Sequence, residues 1–252
     1  MADLRASELA GRVSDRSTLV LPFGAIEQHG PHLPYSTDLI VAEAVATAVV
    51  DAVGDTNDLW LLPSLAYTKS NEHAWSAGTV WLSATTMLAV LDDIGRSVAL
   101  TGARKLALLN GHGGNTALLN VACRELRLKY GLQTFLVHPF VPADHGGASA
   151  ASELGMGIHA GMDETSMLLY LRPELVDMSL AARNMPDRLV NNRHVRFGGS
   201  VSFGWLSNDF GPAGVIGDPT DANADHGKAL FEASVHTLSE AFAEIAAFEF
   251  GA

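Results

Sequence analysis

Short apolar runs and longer helix-forming runs alternate between residues 17 and 140, and this alternation limits the possible folds more than any other feature of the chain. "STLVLPFGA" (17–25) is a short apolar run closed by glycine and reads as a buried strand. "TDLIVAEAVATAVVDAV" (37–53) is Ala-rich, with acidic residues early, and reads as a helix. "LWLLPSLAY" (59–67) reads as a second strand. "SATTMLAVLDDIGRSVALTG" (83–102) opens on Ser83 and Thr85 as caps and ends at Gly102, the pattern of a helix. "RKLALLNGHGGN" (104–115) is a strand running into a Gly-rich loop, "TALLNVACRELRLKYG" (116–131) a helix closed by glycine, and "LQTFLVHPF" (132–140) a further strand. The β-α-β-α order predicts an α/β sandwich with a largely parallel, or mixed, central sheet. Residues 183–227 are rich in Gly, Asn, Asp and Pro with little period; an irregular stretch this long in a compact domain serves function or an interface. "KALFEASVHTLSEAFAEIAAF" (228–248) returns to helical spacing and is expected to close the domain. No internal repeat or low-complexity tract interrupts the pattern.

Ligands of such sheets sit where strands end and loops begin. Two strand ends here carry dense sets of donors. "GAIEQHGPHLPYSTD" (24–38) gathers Glu27, Gln28, His29, His32 and Asp38. Glu27 and His29 are two apart, so in extended backbone both point to one side. Asp38 follows a segment stiffened by Pro31 and Pro34 and opens a helix, a position that equally suits an ordinary cap. Mixed histidine and carboxylate donors suit zinc, manganese or iron(II) rather than calcium. "NGHGGN" (110–115) centres His112 in a turn whose glycines, Gly113 among them, admit close backbone approach. The alternative, a phosphate cradle, lacks a Lys or Arg in the loop. In "GIHAGMDETSMLLYL" (157–171), His159 and Glu164 converge if the histidine precedes the helix and the glutamate lies in its first turn; Glu164 alone also suits the positive end of a helix.

Composition removes several function classes. The net charge of -12 repels nucleic acid and anionic membrane, so neither is an expected partner. The single cysteine, Cys123, allows no internal disulfide framework and no Cys-rich zinc site. The N-terminal residues hold no apolar signal core, and no apolar run reaches the ~18 residues of a membrane span. A cytoplasmic location is the expectation.

Five segments together, "EQHGPHLPYSTD", "SNEHAWSAGTVWLS", "NGHGGN", "IHAGMDETSMLL" and "GVIGDPTDANADHG", resemble the creatininase (creatinine amidohydrolase) family. The resemblance runs in the family's order from Glu27 to Gly227 and implies a single three-layer α/β/α domain over residues 1–252. It further implies a metal-dependent hydrolase of C–N bonds in amides and cyclic amides. About two divalent ions per chain (Zn, Mn or Fe) are implied, with Glu27, His29, Asp38 and His112 as ligands and Asp38 bridging. Family members form homo-oligomers, often hexamers, and act on small-molecule substrates. Members that open creatinine carry a glutamate two residues after the motif histidine, where this chain has Gly114. Glu164 is expected to supply the missing carboxylate. The "NGHGGN" form is closer to the family's other branches, which include deformylases, the mycofactocin precursor peptidase and hydrolases of oxidised inositols. His159 is the expected proton-transfer group, because histidine titrates in the working range. Glu72, His73 and the backbone at Gly113 are expected beside the substrate, although His73 suits a buried structural role equally well. The alternative reading is a non-catalytic metal-binding α/β protein.

Overall fold

A computed structural model describes residues 1–139 and 151–251. Four parallel strands, β1 (Thr18–Phe23), β2 (Leu59–Leu61), β3 (Lys105–Asn110) and β4 (Gln133–Val137), form one sheet in the order β2-β1-β3-β4. The helices are α1 (Ala6–Leu9), α2 (Thr37–Asn57), α3 (Ala84–Leu100), α4 (Thr116–Tyr130), α5 (Met162–Leu171) and α6 (Ala224–Ala247).

Side-chain alternation along the strands separates two apolar layers. Val20, Ala107 and Leu109 face one way, onto Val41, Val45 and Val49 of α2, Met167 and Leu168 of α5, and Leu238 and Phe242 of α6. Leu19, Leu21, Phe23, Leu106 and Leu108 face the other, onto Met87, Leu91 and Val98 of α3 and Leu119, Ala122 and Leu126 of α4. Strands covered on both faces are apolar throughout, so they read as continuous runs in the sequence. The expected α/β/α layering with a parallel sheet is the architecture found.

Several boundaries differ from the sequence expectation. The second strand ends at Leu61 rather than Tyr67, because Pro63 has no N–H for the ladder. The chain still follows β1, with Leu62 and Leu65 donating to the carbonyls of Val20 and Pro22. The fourth strand covers 133–137 of the expected 132–140, and Phe140 lies outside the described residues. Helix α2 runs to Asn57, where Asp58 turns left-handed at φ 51° and stops it. Helix α6 begins at Ala224, before the expected Lys228, because the Asn223 side chain caps it by accepting from the His226 N–H. Gly227 in its first turns is required by contact: a Cβ there would overlap the Ser166 carbonyl of α5. Residues 183–223 contain short 3₁₀ turns and a small core of their own, in which Met185, Phe197 and Ile216 surround Met156.

Adjacent strands β1 and β3 end level with each other, Phe23 opposite Asn110. The two donor-rich loops therefore leave the sheet side by side.

Candidate metal centre

Asp38 stands in the first turn of α2, but the helix N-cap is Ser36, and Asp38 turns inward instead. Its Oδ1 lies 3.1 Å from Nε2 of His29 and its Oδ2 3.0 Å from Nδ1 of His112. Glu27, only 1% exposed, places Oε2 3.3 Å from the same His112 nitrogen. Its Oε1 lies 3.3 Å from Nε2 of His73 and 3.8 Å from Nδ1 of His159. The imidazoles of His29 and His73 flank that of His159, with ring centroids 4.3 and 4.2 Å apart.

Backbone carbonyls fix the tautomers. A carbonyl only accepts, so a ring nitrogen bonded to one carries the proton. His29 Nδ1–H donates to the Glu27 carbonyl (3.1 Å), His112 Nε2–H to that of Lys69 (3.2 Å) and His159 Nε2–H to that of Gln28 (2.7 Å). Each histidine thereby turns its other nitrogen towards the carboxylates. This is the arrangement that ligating histidines need.

Among the described residues, three groups of donor atoms lie close enough to hold an ion: Glu27, Asp38 and His112; His29, Asp38 and Glu164; and Glu27, His29 and His159. In each, the candidate atoms are within 4.8 Å of one another. Asp38 belongs to the first two. Glu164 occupies the first turn of α5, and its Oε2 also accepts from the Ala160 N–H at 2.5 Å.

The electrostatics suit cations. Burial pushes the Glu27 carboxyl up to about 7 against the pull of His112, and burial raises Glu164 to about 7 against that of His29. Asp38 is held well below the usual carboxylate range: burial opposes ionisation, and His29 and His112 outweigh it. Burial also opposes protonation of His29, yet Asp38 raises it to about 10. His159 is pushed well below its ordinary value by burial and by the neighbouring His29 and His73. The buried carboxylates of Glu27 and Asp38 and the half-buried one of Glu164 thus depend on positive charge between them. Among the described residues, the buried Glu27 Oε2 and Asp38 Oδ2 make no in-line hydrogen bond, although His112 Nδ1 is near both. Carboxylate oxygens and imidazole nitrogens that converge in this way fit divalent ions, which would replace the extra ring proton of His29 on binding.

The other expected residues fall around this cluster. His73 is buried with Nδ1 unpartnered, and burial lowers it to about 3. Gly113 is exposed and borders open space. Glu72 lies behind His112, with Oε1 3.3 Å from its Nε2, on the nitrogen turned away from Asp38. His32 does not join the cluster: its Nε2 pairs with Thr165 Oγ1 at 3.0 Å, tying the first loop to α5.

Three supporting residues escaped the sequence reading. Asn110 donates to the His112 carbonyl at 2.7 Å and accepts from its N–H at 3.3 Å, and Asn115 bonds both Asn110 and the Lys69 N–H. These asparagines bracket the glycine loop, and that position was the available signal. Glu153, 1% exposed, accepts at Oε1 from the N–H groups of Met162 (2.9 Å) and Asp218 (2.8 Å). It thereby joins the start of α5 to the segment whose Ile216 pairs with His159. No sequence motif marks it.

Known proteins resemble this chain over most of its length. The family model described as Creatininase: Creatinine amidohydrolase matches residues 2–242. The mycofactocin precursor peptide peptidase of Mycobacterium ulcerans (strain Agy99) is 35% identical over 237 residues, covering 92% of this chain and 86% of the relative. The creatinine amidohydrolase of Pseudomonas putida is 31% identical over 243 residues, covering 90% and 88%. Among solved structures, a mutant creatininase of Zn-Zn type superposes with TM-score 0.74 at 25% identity, covering 97% of this chain and 96% of the other. A creatininase with Mn superposes with TM-score 0.73 at 26% identity, covering 97% of each. Among the described residues, no helix is long and apolar enough to cross a membrane.

Proposed function

Because this chain belongs to the creatininase family and is a hydrolase, we propose that it cleaves an amide C–N bond in a peptide-like substrate, using about two divalent ions. Glu27, Asp38 and His112 would hold one ion, and His29, Asp38 and Glu164 the other. The observation that carries this reading is the place of Asp38 between His29 and His112, common to both groups. Divalent ions in such a site supply Lewis acidity, which lowers the pKa of water and polarises a carbonyl.

The chain's own residues do the rest. His159 is neutral at rest, with its proton fixed on Nε2 by the Gln28 carbonyl. Its Nδ1 is therefore the atom that takes up a proton and passes it to the leaving nitrogen. His29 and His73 hold the ring from either side. Glu27 beside Nδ1 stabilises the imidazolium while it carries the extra proton. Open space beside Gly113 leaves the substrate a way in.

Peptide-like chemistry is favoured over creatinine by the higher identity to the mycobacterial peptidase and by glycine at position 114. The test is a panel of short peptides, formamides, cyclic amides, lactones and creatinine, offered to protein reconstituted with zinc or manganese and read by mass spectrometry, with a chelator control. Chelator-sensitive cleavage of a peptide or other amide with creatinine intact is expected. Creatinine turnover at an ordinary enzymatic rate of about 1–10³ s⁻¹ would overturn the substrate reading.

A further inference from the structure

The two glycines after His112 are not equivalent. A Cβ on Gly113 would meet nothing within 4 Å, whereas one on Gly114 would overlap both Oε1 of Glu72 and Nε2 of His112. Gly114 is not in the left-handed region, so space rather than backbone conformation requires glycine there. Glu72 fills that space. The residue is 8% exposed; its Oε1 lies 3.3 Å from His112 Nε2, and its Oε2 accepts from Lys69 Nζ at 3.1 Å. The turn that carries it is braced. His73 N–H donates to the Ser70 carbonyl at 3.1 Å, and Ser207 Oγ donates to the Glu72 carbonyl at 3.3 Å. Trp75 Nε1–H in turn donates to that Ser207 Oγ at 2.7 Å. Glu72 belongs to none of the three donor groups, and it faces the His112 nitrogen that points away from Asp38.

We propose that Glu72 is a positioning residue that orients His112 through Nε2–H, and that residue 114 is glycine because the Glu72 carboxylate occupies the room of its side chain. The proposal rests on reading Glu27, Asp38 and His112 as one metal site. A carboxylate behind a ligating histidine fixes the ring's angle and raises its basicity. Lys69 contributes twice, its carbonyl sharing the same N–H and its ammonium holding Glu72 in place. A methyl group at position 114 would drive the carboxylate off or tilt the ring. Glu72→Ala and Gly114→Ala therefore damage the same contact.

The experiment is a double-mutant cycle on the full chain with parent, Glu72→Ala, Gly114→Ala and the double variant, plus Glu72→Gln. Zinc affinity is titrated, and the melting temperature of each metal-free protein is recorded. Glu72→Ala is expected to weaken zinc binding about 10–100-fold, the usual cost of losing an outer partner of a ligating histidine. Glu72→Gln keeps an acceptor and should fall between parent and Glu72→Ala. The double variant should lose less than the product of the two single losses, and the metal-free melting temperatures should show the same shortfall. Zinc affinity of Glu72→Ala within about twofold of parent, or fully multiplicative losses, would overturn the proposal. A parent that binds no divalent ion would overturn the metal-centre reading instead, and the metal-free cycle would then decide the Glu72–Gly114 contact by itself.

Discussion

The two sides of the candidate centre are built differently. Glu27, His29, Asp38 and His112 come from loops that leave neighbouring strands and from the helix that follows one of them. His159 and Glu164 come from a region that, among the described residues, holds no strand. There, Glu153 gathers backbone N–H groups, an isolated bridge ties His159 to Ile216, and Ala160 sits left-handed at φ 54°. A non-glycine residue in that conformation is held only by over-determined surroundings. The first side inherits its precision from sheet register; the second depends on a few buried polar contacts. The sheet side should therefore govern whether metal binds at all, and the other side, which adds only Glu164 to the ligands, should govern the second ion and how well the site turns over.

The largest effect is expected on the sheet side. Asp38→Ala should abolish activity and strip metal from both positions, because a shared ligand serves both; activity near the parent level would break the comparison. Next comes His159→Ala, which should keep its metal and lose turnover about 10²–10⁴-fold, as removal of a general acid or base does. Parent-like rates for this variant between pH 6 and 9 would remove His159 from the proton transfer. Glu153→Gln keeps one acceptor oxygen and should show a smaller loss in kcat with the ion at Glu27, Asp38 and His112 retained, since it acts by positioning α5 and the His159 segment. Loss of all metal in that variant would show that the two sides are not separable.

The smallest effect concerns the strut between the sides. Thr165→Val removes the partner of His32 and should cost about 0.5–1.5 kcal/mol in denaturant unfolding. Burial lowers His32 from its ordinary 6.5 to about 4. The unfolded chain thus binds a proton between those values that the folded chain refuses, so this histidine's contribution is complete above pH 6.5 and is lost as the pH falls through 4. His32→Gln should flatten that part of the stability profile. An unchanged acid limb would show that His32 is not held neutral.

The same contrast explains what could be read from the sequence. Strands covered on both faces are apolar runs, helices carry periodicity and glycine stops, and ligands sit at strand ends, so the layers and the 24–38 and 110–115 loops were legible. Asp38 reads equally as cap or ligand because both need a carboxylate near a helix start; Ser36 takes the cap position, and the contacts of Asp38 with His29 and His112 favour the ligand reading. The short second strand was overread because apolar residues continue past Pro63. Glu153 was invisible, since its partners are backbone N–H groups far away in sequence, which leave no pattern of residue types. Glu72 stands in one of the matching segments, but its place behind His112 depends on the missing side chain of Gly114, and a glycine does not announce what fills its space.

The central claim is that one carboxylate serves two ion positions, one closed by the sheet side and the other by α5. The most direct measurement is the metal content per chain, by elemental analysis after zinc reconstitution, in parent, Glu164→Gln, His112→Ala and Asp38→Ala. About two ions in the parent, one in each of the two single-side variants and close to none in Asp38→Ala is the predicted result. Full occupancy in Asp38→Ala, or both ions retained in Glu164→Gln, would contradict it.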